Sequence, residues 1–330
     1  MRSRENENRS KIIGTGAYAP KRVMTNRDLG KMVNTSDEWI LERTGIRERH
    51  IAAEGEAASD LAVEAARQAL EAARLKASEI DLLIVATCTP DMLLPSTACI
   101  VQDRLGAKKA VAFDVSAACS GFLYALSIGD QYLRNGVFKN ALIIGAEVMS
   151  RITDWTDRGT CILFGDGAGA VVLESQKTTH GILSTHLYSD GKLWDLIYVP
   201  DGGSRSPMEA DRKNQTVMKM RGNETFKVAV RNLAEAATEA LAHNHLKTSD
   251  VSLLIPHQAN LRIINAVADR LGFPMERVMV NIDRYGNTSA ASVPMALDEA
   301  VRSGRIQKGD ILLLEAFGGG LTWASAVIRW

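Results

Sequence analysis

Two patterns of apolar residue alternate along the chain. One is the short run, as at 82–86 (LLIVA), 111–115 (VAFDV), 141–145 (ALIIG), 251–255 (VSLLI) and 311–314 (ILLL), which has the length and composition of a buried strand. The other is an apolar residue every three to four positions over two turns or more, as in EAARQALEAARL at 64–75, which predicts a helix with one buried face. This β/α alternation predicts sheets covered by helices. The helix after Cys119 (SGFLYALSIGDQYL) is apolar nearly all round, as a helix between two sheets would be. A related segment after Asn287 (TSAASVPMALDEAV) is built of small residues, and Pro294 about two turns in predicts an irregular or late helix start.

The pattern is written twice. Residues 64–84 and 235–255, offset by 171, are identical at 11 of 21 positions, and the register holds through helix, loop and strand. Looser matches continue: 11–18 (KIIGTGAY) with 181–188 (GILSTHLY), Arg134-Asn-Gly with Arg302-Ser-Gly, and Phe164-Gly with Phe317-Gly. The first half carries extra residues around 148–162. These matches divide the chain into a polar tail at 1–10, a first half at 11–175 and a second half at 176–330. Each half reads strand, helix, strand, helix and two strands.

Composition narrows the class. The chain has 330 residues, 46% hydrophobic and 24% charged, enough for two globular units. Lysine plus arginine (39) equals aspartate plus glutamate (39), so no global field favours nucleic acid or a membrane surface. The start, MRSRENENRSK, lacks an apolar core and is not a secretory signal, and no apolar run approaches the ~20 residues of a membrane span. Cys88, Cys99, Cys119 and Cys161 show no metal-ligand spacing. The expectation is a reduced, cytoplasmic α/β protein without structural zinc.

Three residues are candidates for chemistry. Cys119 follows the 111–115 strand through small residues and precedes the buried helix, so the helix N-terminus should favour its thiolate. The plain alternative is a small buried hydrophobe. His257 stands where the 251–255 run ends, in Ile-Pro-His-Gln-Ala-Asn, at the carboxyl end of a strand where ligands gather. Asn287, in Tyr-Gly-Asn-Thr-Ser, occupies roughly the strand-to-helix position of Cys119 in the second repeat; a turn residue is the alternative. Ile13-Gly-Thr-Gly lacks the third glycine of a dinucleotide fingerprint. Gly165-Asp-Gly-Ala-Gly and Gly318-Gly-Gly read as tight turns, and the second could offer an amide to an oxyanion. The order Cys, His, Asn is also that of papain-like hydrolases, but the C-G-[SA]-C-[WY] signature is absent.

Seven segments carry a family resemblance: Thr35-Ser-Asp-Glu-Trp-Ile, Glu42-Arg-Thr-Gly-Ile, Asp114-Val-Ser-Ala-Ala-Cys-Ser-Gly-Phe, Phe164-Gly-Asp-Gly-Ala-Gly-Ala, Pro256-His-Gln-Ala-Asn, Tyr285-Gly-Asn-Thr-Ser-Ala-Ala-Ser and Phe317-Gly-Gly-Gly. Together they closely resemble β-ketoacyl-[acyl carrier protein] synthase III, the initiating condensing enzymes of dissociated fatty-acid synthesis. The resemblance runs from about Lys11 to Trp330 and implies an α/β thiolase-like fold, a duplicated half giving five layers, α-β-α-β-α. It implies that Cys119 takes an acyl group from acyl-coenzyme A, that the amides of Cys119 and Gly319 hold the oxyanion, and that His257 and Asn287 stabilise the enolate of malonyl-[acyl carrier protein]. It also implies coenzyme A contacts at Trp39, Arg43, Arg158, Asn223 and Asn260, and an acyl pocket at Leu94 and Phe317. Carrier-protein docking falls to Gln258, Ala259, Asn260, Leu261 and Arg262 with Lys227 and Arg231. Acyl-coenzyme A is then a substrate, with no cofactor or metal, and the chain is a homodimer. Asparagine at 287 departs from elongating synthases and thiolases, while a secondary-metabolism relative of the initiating enzyme stays open.

Overall fold

The computed structural model describes residues 8–207 and 217–330. The first half contains β1 (Asn8–Tyr18), α1 (Asp37–Thr44), α2 (Ala58–Ala73), β2 (Leu82–Ala86), α3 (Thr97–Leu105), β3 (Val111–Val115), α4 (Gly121–Arg134), β4 (Asn140–Val148) and β5 (Asp166–Lys177). The second contains β6 (Gly181–Ser189), α5 (Gly222–His243), β7 (Leu253–Pro256), α6 (Leu261–Leu271), α7 (Ser292–Arg302), β8 (Ile311–Gly318) and β9 (Thr322–Arg329).

The two sheets share one plan. The first has the order β1-β5-β4-β2-β3, and the second runs β6-β9-β8-β7. In both, one inner pairing is parallel (β4 with β2, β8 with β7) and the pairs on the β1 and β6 side of it are antiparallel, while in the first sheet β2 also pairs in parallel with β3. The counterpart of β3 survives in the second sheet only as an isolated parallel bridge between Leu254 and Val278.

Alternation along the strands sorts the layers. On β2, Leu82, Ile84 and Ala86 join a core shared with Leu312 and Leu314 of β8, whereas Leu83 and Val85 pack under Leu61 and Ala65 of α2. The shared core holds Phe122, Leu123 and Leu126 of α4 with Val293, Ala296 and Leu297 of α7, so these helices form the middle layer. On the far face of the second sheet, Leu313 and Leu254 pack against Ala237 of α5 and Ile264 of α6. The result is α-β-α-β-α, and it explains why β4 (NALIIGAEV) is buried at every position.

The sequence and the structure differ at the boundaries. Strand β1 begins at Asn8, which pairs with Lys177, so residues 8–10 belong to the first sheet and not to a tail; 1–7 lie outside the described residues. The halves meet at 178–180, three residues past the expected division, because β5 and β1 extend each other's ladder. Helix α7 does start late, at Ser292, which places Pro294 in the first turn, where its missing N–H leaves no intrahelical bond unmade.

Candidate active site

Each half delivers one tight turn to the interface, and the turns superimpose in sequence at the repeat offset. A 3₁₀ turn at Ala118–Ser120 leads into α4, and another at Ser289–Ala291 leads into α7. Ala118 and Ser289 both adopt left-handed backbone, φ 45° and 49°. Such values are costly for residues with a Cβ and persist where surrounding contacts hold them. The counterpart of Cys119 is therefore Ala290, 171 positions on, and Asn287 falls opposite Ser116. The expected equivalence of Cys119 with Asn287 is off by three residues, almost one helical turn.

Each turn seats on a strand of the other half, at a glycine. A Cβ on Gly318 of β8 would lie 2.6 Å from the Cys119 nitrogen, and a Cβ on Gly145 of β4 would lie 2.3 Å from the Ala290 carbonyl oxygen. No side chain fits either gap. The Cys119 turn is further tied to β9, where the Thr322 hydroxyl donates to the Ala117 carbonyl (3.0 Å) and accepts from the Ser120 hydroxyl (2.7 Å). Asn287 is stitched into the first half by its N–H to the Leu163 carbonyl (2.8 Å) and by its own carbonyl to the Gly165 N–H (3.1 Å). Its Oδ1 accepts from the Ser289 N–H (2.9 Å), which leaves the amide NH2 as its free donor group.

His257 follows β7 and is anchored by its N–H to the Glu315 carbonyl (2.8 Å). The ring is 4% exposed, and neither nitrogen has a partner among the described residues. Burial holds its pKa down at about 3, so the imidazole is neutral. Cys119 departs from the expectation of an acidic thiol. Enclosure pushes it up to about 12, and the nearby Glu147 carboxylate adds to this, against help from the Ser289 hydroxyl and its own amide. Desolvation outweighs the helix N-terminus here because the half-buried sulfur is crowded by protein atoms in the cavity wall. The resting pair is thus a thiol and a neutral imidazole.

Cys119, His257 and Asn287 line one cavity of about 1080 Å³, with Phe317 and Gly319 also in its wall. Trp39, Arg43, Asn223, Lys227, Ala259, Asn260 and Arg262 line it as well. The mouth is assembled by α1 and α6. Ser36 caps α1 by accepting from the Trp39 N–H (3.1 Å), and α1 ends at Gly45, φ 77°. A Cβ there would lie 2.6 Å from Leu261 Cβ, so α1 lies directly against the start of α6. The Asn260 side chain donates to the Arg43 carbonyl (3.1 Å) across this contact. The guanidinium of Arg43 stands 4.3 Å from the Trp39 ring centroid and that of Arg158 4.4 Å, so two cations share one indole.

Other expected contacts lie elsewhere. Gln258 is 1% exposed and wholly engaged inside the fold: it donates to the Pro256 and Met279 carbonyls and accepts from the Asn281 and Ile282 N–H groups. It braces the His257 loop and presents nothing to a docking partner. Leu261 packs under Gly45, and exposed Arg231 lies outside the cavity with its Nε on Asn232 Oδ1. Leu94 is 84% exposed beside Leu93 at 86%, away from this chain's own cavity wall.

Sequence reasoning passed over Cys88, Glu147 and Ser289. Cys88 and Ser289 line the cavity, and Glu147 is a fully buried carboxylate beneath it. Two signals were available: Glu147 is the one charge in the apolar run of β4, and Ser289 is the 171-offset counterpart of Ala118.

Known proteins match this arrangement over nearly its full length. A family profile described as 3-oxoacyl-[acyl-carrier-protein (ACP)] synthase III matches residues 113–191, and its C-terminal counterpart matches 241–330. The β-ketoacyl-[acyl-carrier-protein] synthase III of Alkalilimnicola ehrlichii is 58% identical over 97% of this chain and 99% of its own. The crystal structure of 3-oxoacyl-[acyl-carrier-protein] synthase III from Aquifex aeolicus VF5 is 51% identical, with TM-score 0.91 over 97% of this chain and 100% of that one. The priming β-ketosynthase of the R1128 polyketide biosynthetic pathway has the same shape (TM-score 0.92, over 98% of this chain and 97% of that one) at 37% identity. Shape does not separate the last two, but identity does, and the thiolase-fold architecture, the cavity and these matches together place the chain in the β-ketoacyl-[acyl-carrier-protein] synthase III family.

Proposed function

We propose that the chain joins an acyl-coenzyme A primer to malonyl-[acyl carrier protein] by decarboxylative Claisen condensation, giving a 3-oxoacyl-[acyl carrier protein] that starts fatty-acid synthesis. The observation that carries this reading is the convergence of Cys119, His257 and Asn287, from both halves, on one cavity. In the first half-reaction the Cys119 sulfur attacks the primer's thioester carbonyl. The oxyanion is held by the amides of Cys119 and Gly319, and coenzyme A leaves with the thiol proton. In the second, His257 and Asn287 donate to the thioester carbonyl oxygen of the malonyl group. Carbon dioxide leaves, the enolate carbon attacks the acyl-cysteine, and the Cys119 thiolate departs and is reprotonated.

A neutral His257 suits this role, since an imidazole N–H donates to a developing enolate without a charge to be desolvated. The NH2 group of Asn287 is oriented for the same task because its oxygen is engaged by Ser289. Trp39 with Arg43 and Arg158 offers an aromatic face and two cations to the nucleotide end of coenzyme A, with Asn223 and Asn260 deeper along the entrance. Lys227 and exposed Arg262 supply the local positive charge that an acidic carrier protein needs from a chain with no net charge.

A homodimer fits the exposed apolar edge. Strand β3 ends the first sheet, with Val111 half exposed, and Met92, Leu93 and Leu94 are exposed nearby. Pairing of two β3 strands would cover this edge and bring Leu94 toward the acyl end of the partner's cavity.

Mass spectrometry of the intact protein after a mixture of acyl-coenzyme A primers tests the reading. One acyl group should appear, be absent from Cys119→Ala, persist in Cys88→Ala, Cys99→Ala and Cys161→Ala, and discharge onto malonyl-[acyl carrier protein] as the 3-oxoacyl product. An adduct on Cys119→Ala, or discharge to water alone, overturns it.

A further inference from the structure

Asn287 sits in a cradle built by the first half, and a buried guanidinium lies behind that cradle. Phe164 and Asn287 form an isolated parallel bridge, with Gly165 after one and Gly286 before the other. The short strand Glu48–Ile51 lies against this bridge. The Arg47 N–H donates to the Asp283 carbonyl (2.9 Å), and the His50 ring stacks on Tyr285, centroids 5.5 Å apart. A Cβ on Gly165 would lie 3.0 Å from Arg49 Cβ and one on Gly286 would lie 3.4 Å from it, so the stem of Arg49 packs against both glycines.

Arg49 is fully buried, and every acceptor it meets among the described residues is an amide oxygen. Its Nη1 donates to the Met24 carbonyl (3.2 Å) and to Asn26 Oδ1 (2.9 Å), its Nη2 donates to the Ile162 carbonyl (2.8 Å), and its Nε has no partner. A cation buried without an anion is costly beside a packed apolar side chain, so stability alone does not account for it. What it supplies is direction. One residue beyond Ile162, the Leu163 carbonyl accepts from the Asn287 N–H (2.8 Å), and two further on the Gly165 N–H donates to the Asn287 carbonyl (3.1 Å). The guanidinium thus fixes the segment that holds both main-chain groups of Asn287.

We propose that Arg49 is a positioning residue for Asn287, its guanidinium holding the Ile162–Gly165 segment in the place that aims the Asn287 NH2 into the cavity. The inference rests on Asn287 serving the enolate of the malonyl group. Arg49 is not in the cavity wall and touches no substrate; it acts through Leu163 and Gly165. Asn287 is itself buried and its Oδ1 is engaged by the Ser289 N–H, so the direction of its NH2 follows the backbone. A displacement of about 1 Å at such a donor can cost on the order of 10² in rate.

Arg49 also meets Asn26, whose Nδ2 donates to Asp37 Oδ1 (2.8 Å) in the first turn of α1. The mouth has other anchors. Asn26 Nδ2 donates to the Ile46 carbonyl as well (2.7 Å), the Asn26 N–H donates to the Arg47 carbonyl (3.1 Å), and Ser36 caps α1. The Cys119 turn keeps its own ties to β9. Loss of the guanidinium should therefore fall on the step that uses Asn287 and spare acyl loading. Arg49→Met keeps the stem against the two glycines and removes every donor. Arg49→Lys keeps the charge but offers one nitrogen where the guanidinium uses two.

The experiment follows decarboxylation of malonyl-[acyl carrier protein] to acetyl-[acyl carrier protein] by mass spectrometry of the carrier, beside single-turnover loading of Cys119 from acetyl-coenzyme A and a thermal melt of each variant. Arg49→Met should lower kcat for decarboxylation at least about tenfold, with KM and the loading rate within about threefold of the parent. Arg49→Lys should fall between the two. In the Asn287→Ala background, where the amide to be aimed is gone, Arg49→Met should change decarboxylation less than about twofold. A loss there as large as in the parent, equal losses in both half-reactions, or an unchanged decarboxylation rate in Arg49→Met overturns the proposal. Should Arg49→Met fail to fold, Arg49→Lys decides alone: a decarboxylation rate equal to the parent's, or a loss that persists undiminished without the Asn287 amide, refutes it. Asn287→Ala by itself separates this inference from the reading beneath it. Decarboxylation at the parent rate in that variant refutes both, whereas a large loss there beside an unchanged Arg49→Met refutes the inference alone.

Discussion

In the first half, β3 ends at Val115 and Cys119 stands four residues on, in a turn that seats on Gly318 of the second half. In the second half, the turn 171 positions later has the same backbone, yet carries Ala290 where the thiol stood and seats on Gly145 of the first. The chemistry of the second turn comes instead from Asn287, one helical turn upstream, and from Ser289 at the left-handed position. The repeat gives both turns one geometry, and the proposed mechanism would assign acylation to one turn and enolate stabilisation to the other. Because each turn is held by the opposite half, neither half contains a working site.

The comparison predicts a division of labour, and its largest expected effect lies on the condensation arm. His257→Ala and Asn287→Ala should each lower condensation by about 10²–10³, the usual loss for one oxyanion-type donor. Single-turnover loading of Cys119 from acyl-coenzyme A should persist in both. If both variants fail to load and still decarboxylate malonyl-[acyl carrier protein] at the parent rate, the roles are reversed.

A milder pair of changes separates the turns themselves. Gly318→Ala places a methyl 2.6 Å from the Cys119 nitrogen, and Gly145→Ala places one 2.3 Å from the Ala290 carbonyl oxygen. Each should cost about 1–3 kcal/mol of stability through overpacking. Loading should suffer more in Gly318→Ala and decarboxylation more in Gly145→Ala, by roughly tenfold each way if the displaced turn alone is affected. Equal loss of both half-reactions in both variants would mean that the turns move together.

Much of this was legible because the repeat is strict where the core is. The 171 offset seen at 64–84 also relates the starts of β2 and β7, of α4 and α7, and of β4 and β8, all of which fill the shared interior. It weakens where packing ceases to demand it, as in the second sheet, which lost its fifth strand and needs only the Leu254–Val278 bridge. Cys119, His257 and Asn287, the residues proposed for the chemistry, were picked out by motif and strand end, and they line one cavity. The ionisation of Cys119 was not, because local sequence shows a helix N-terminus but not the enclosure that outweighs it. Gln258 was misplaced for a similar reason: a polar residue in a motif reads as a contact until its four internal hydrogen bonds are seen.

The two central strands sharpen the contrast once more, with the smallest effect on turnover. Glu147 on β4 and Glu315 on β8 are both fully buried carboxyls in apolar runs. Glu147 is ringed by donors, whereas neither oxygen of Glu315 has a partner among the described residues. Burial alone pushes the Glu315 carboxyl up to about 8, far above the ~4.3 of an unfolded chain. The folded state therefore holds a proton that the unfolded state has lost between these values. Stability from this group is fully present below about pH 4.3, falls as pH rises toward 8, and is flat above, a total on the order of a few kcal/mol. Glu315→Gln keeps the shape and removes the proton. Its melting temperature should match the parent's near pH 5 and exceed it increasingly toward pH 8, while Glu147→Gln, whose parent carboxyl is also raised by burial but has donors that favour its ionised form, should show a smaller gap. Parallel melting curves for parent and Glu315→Gln across that range would show that Glu315 is solvated or partnered in the folded chain, and the contrast between the two strands would fall.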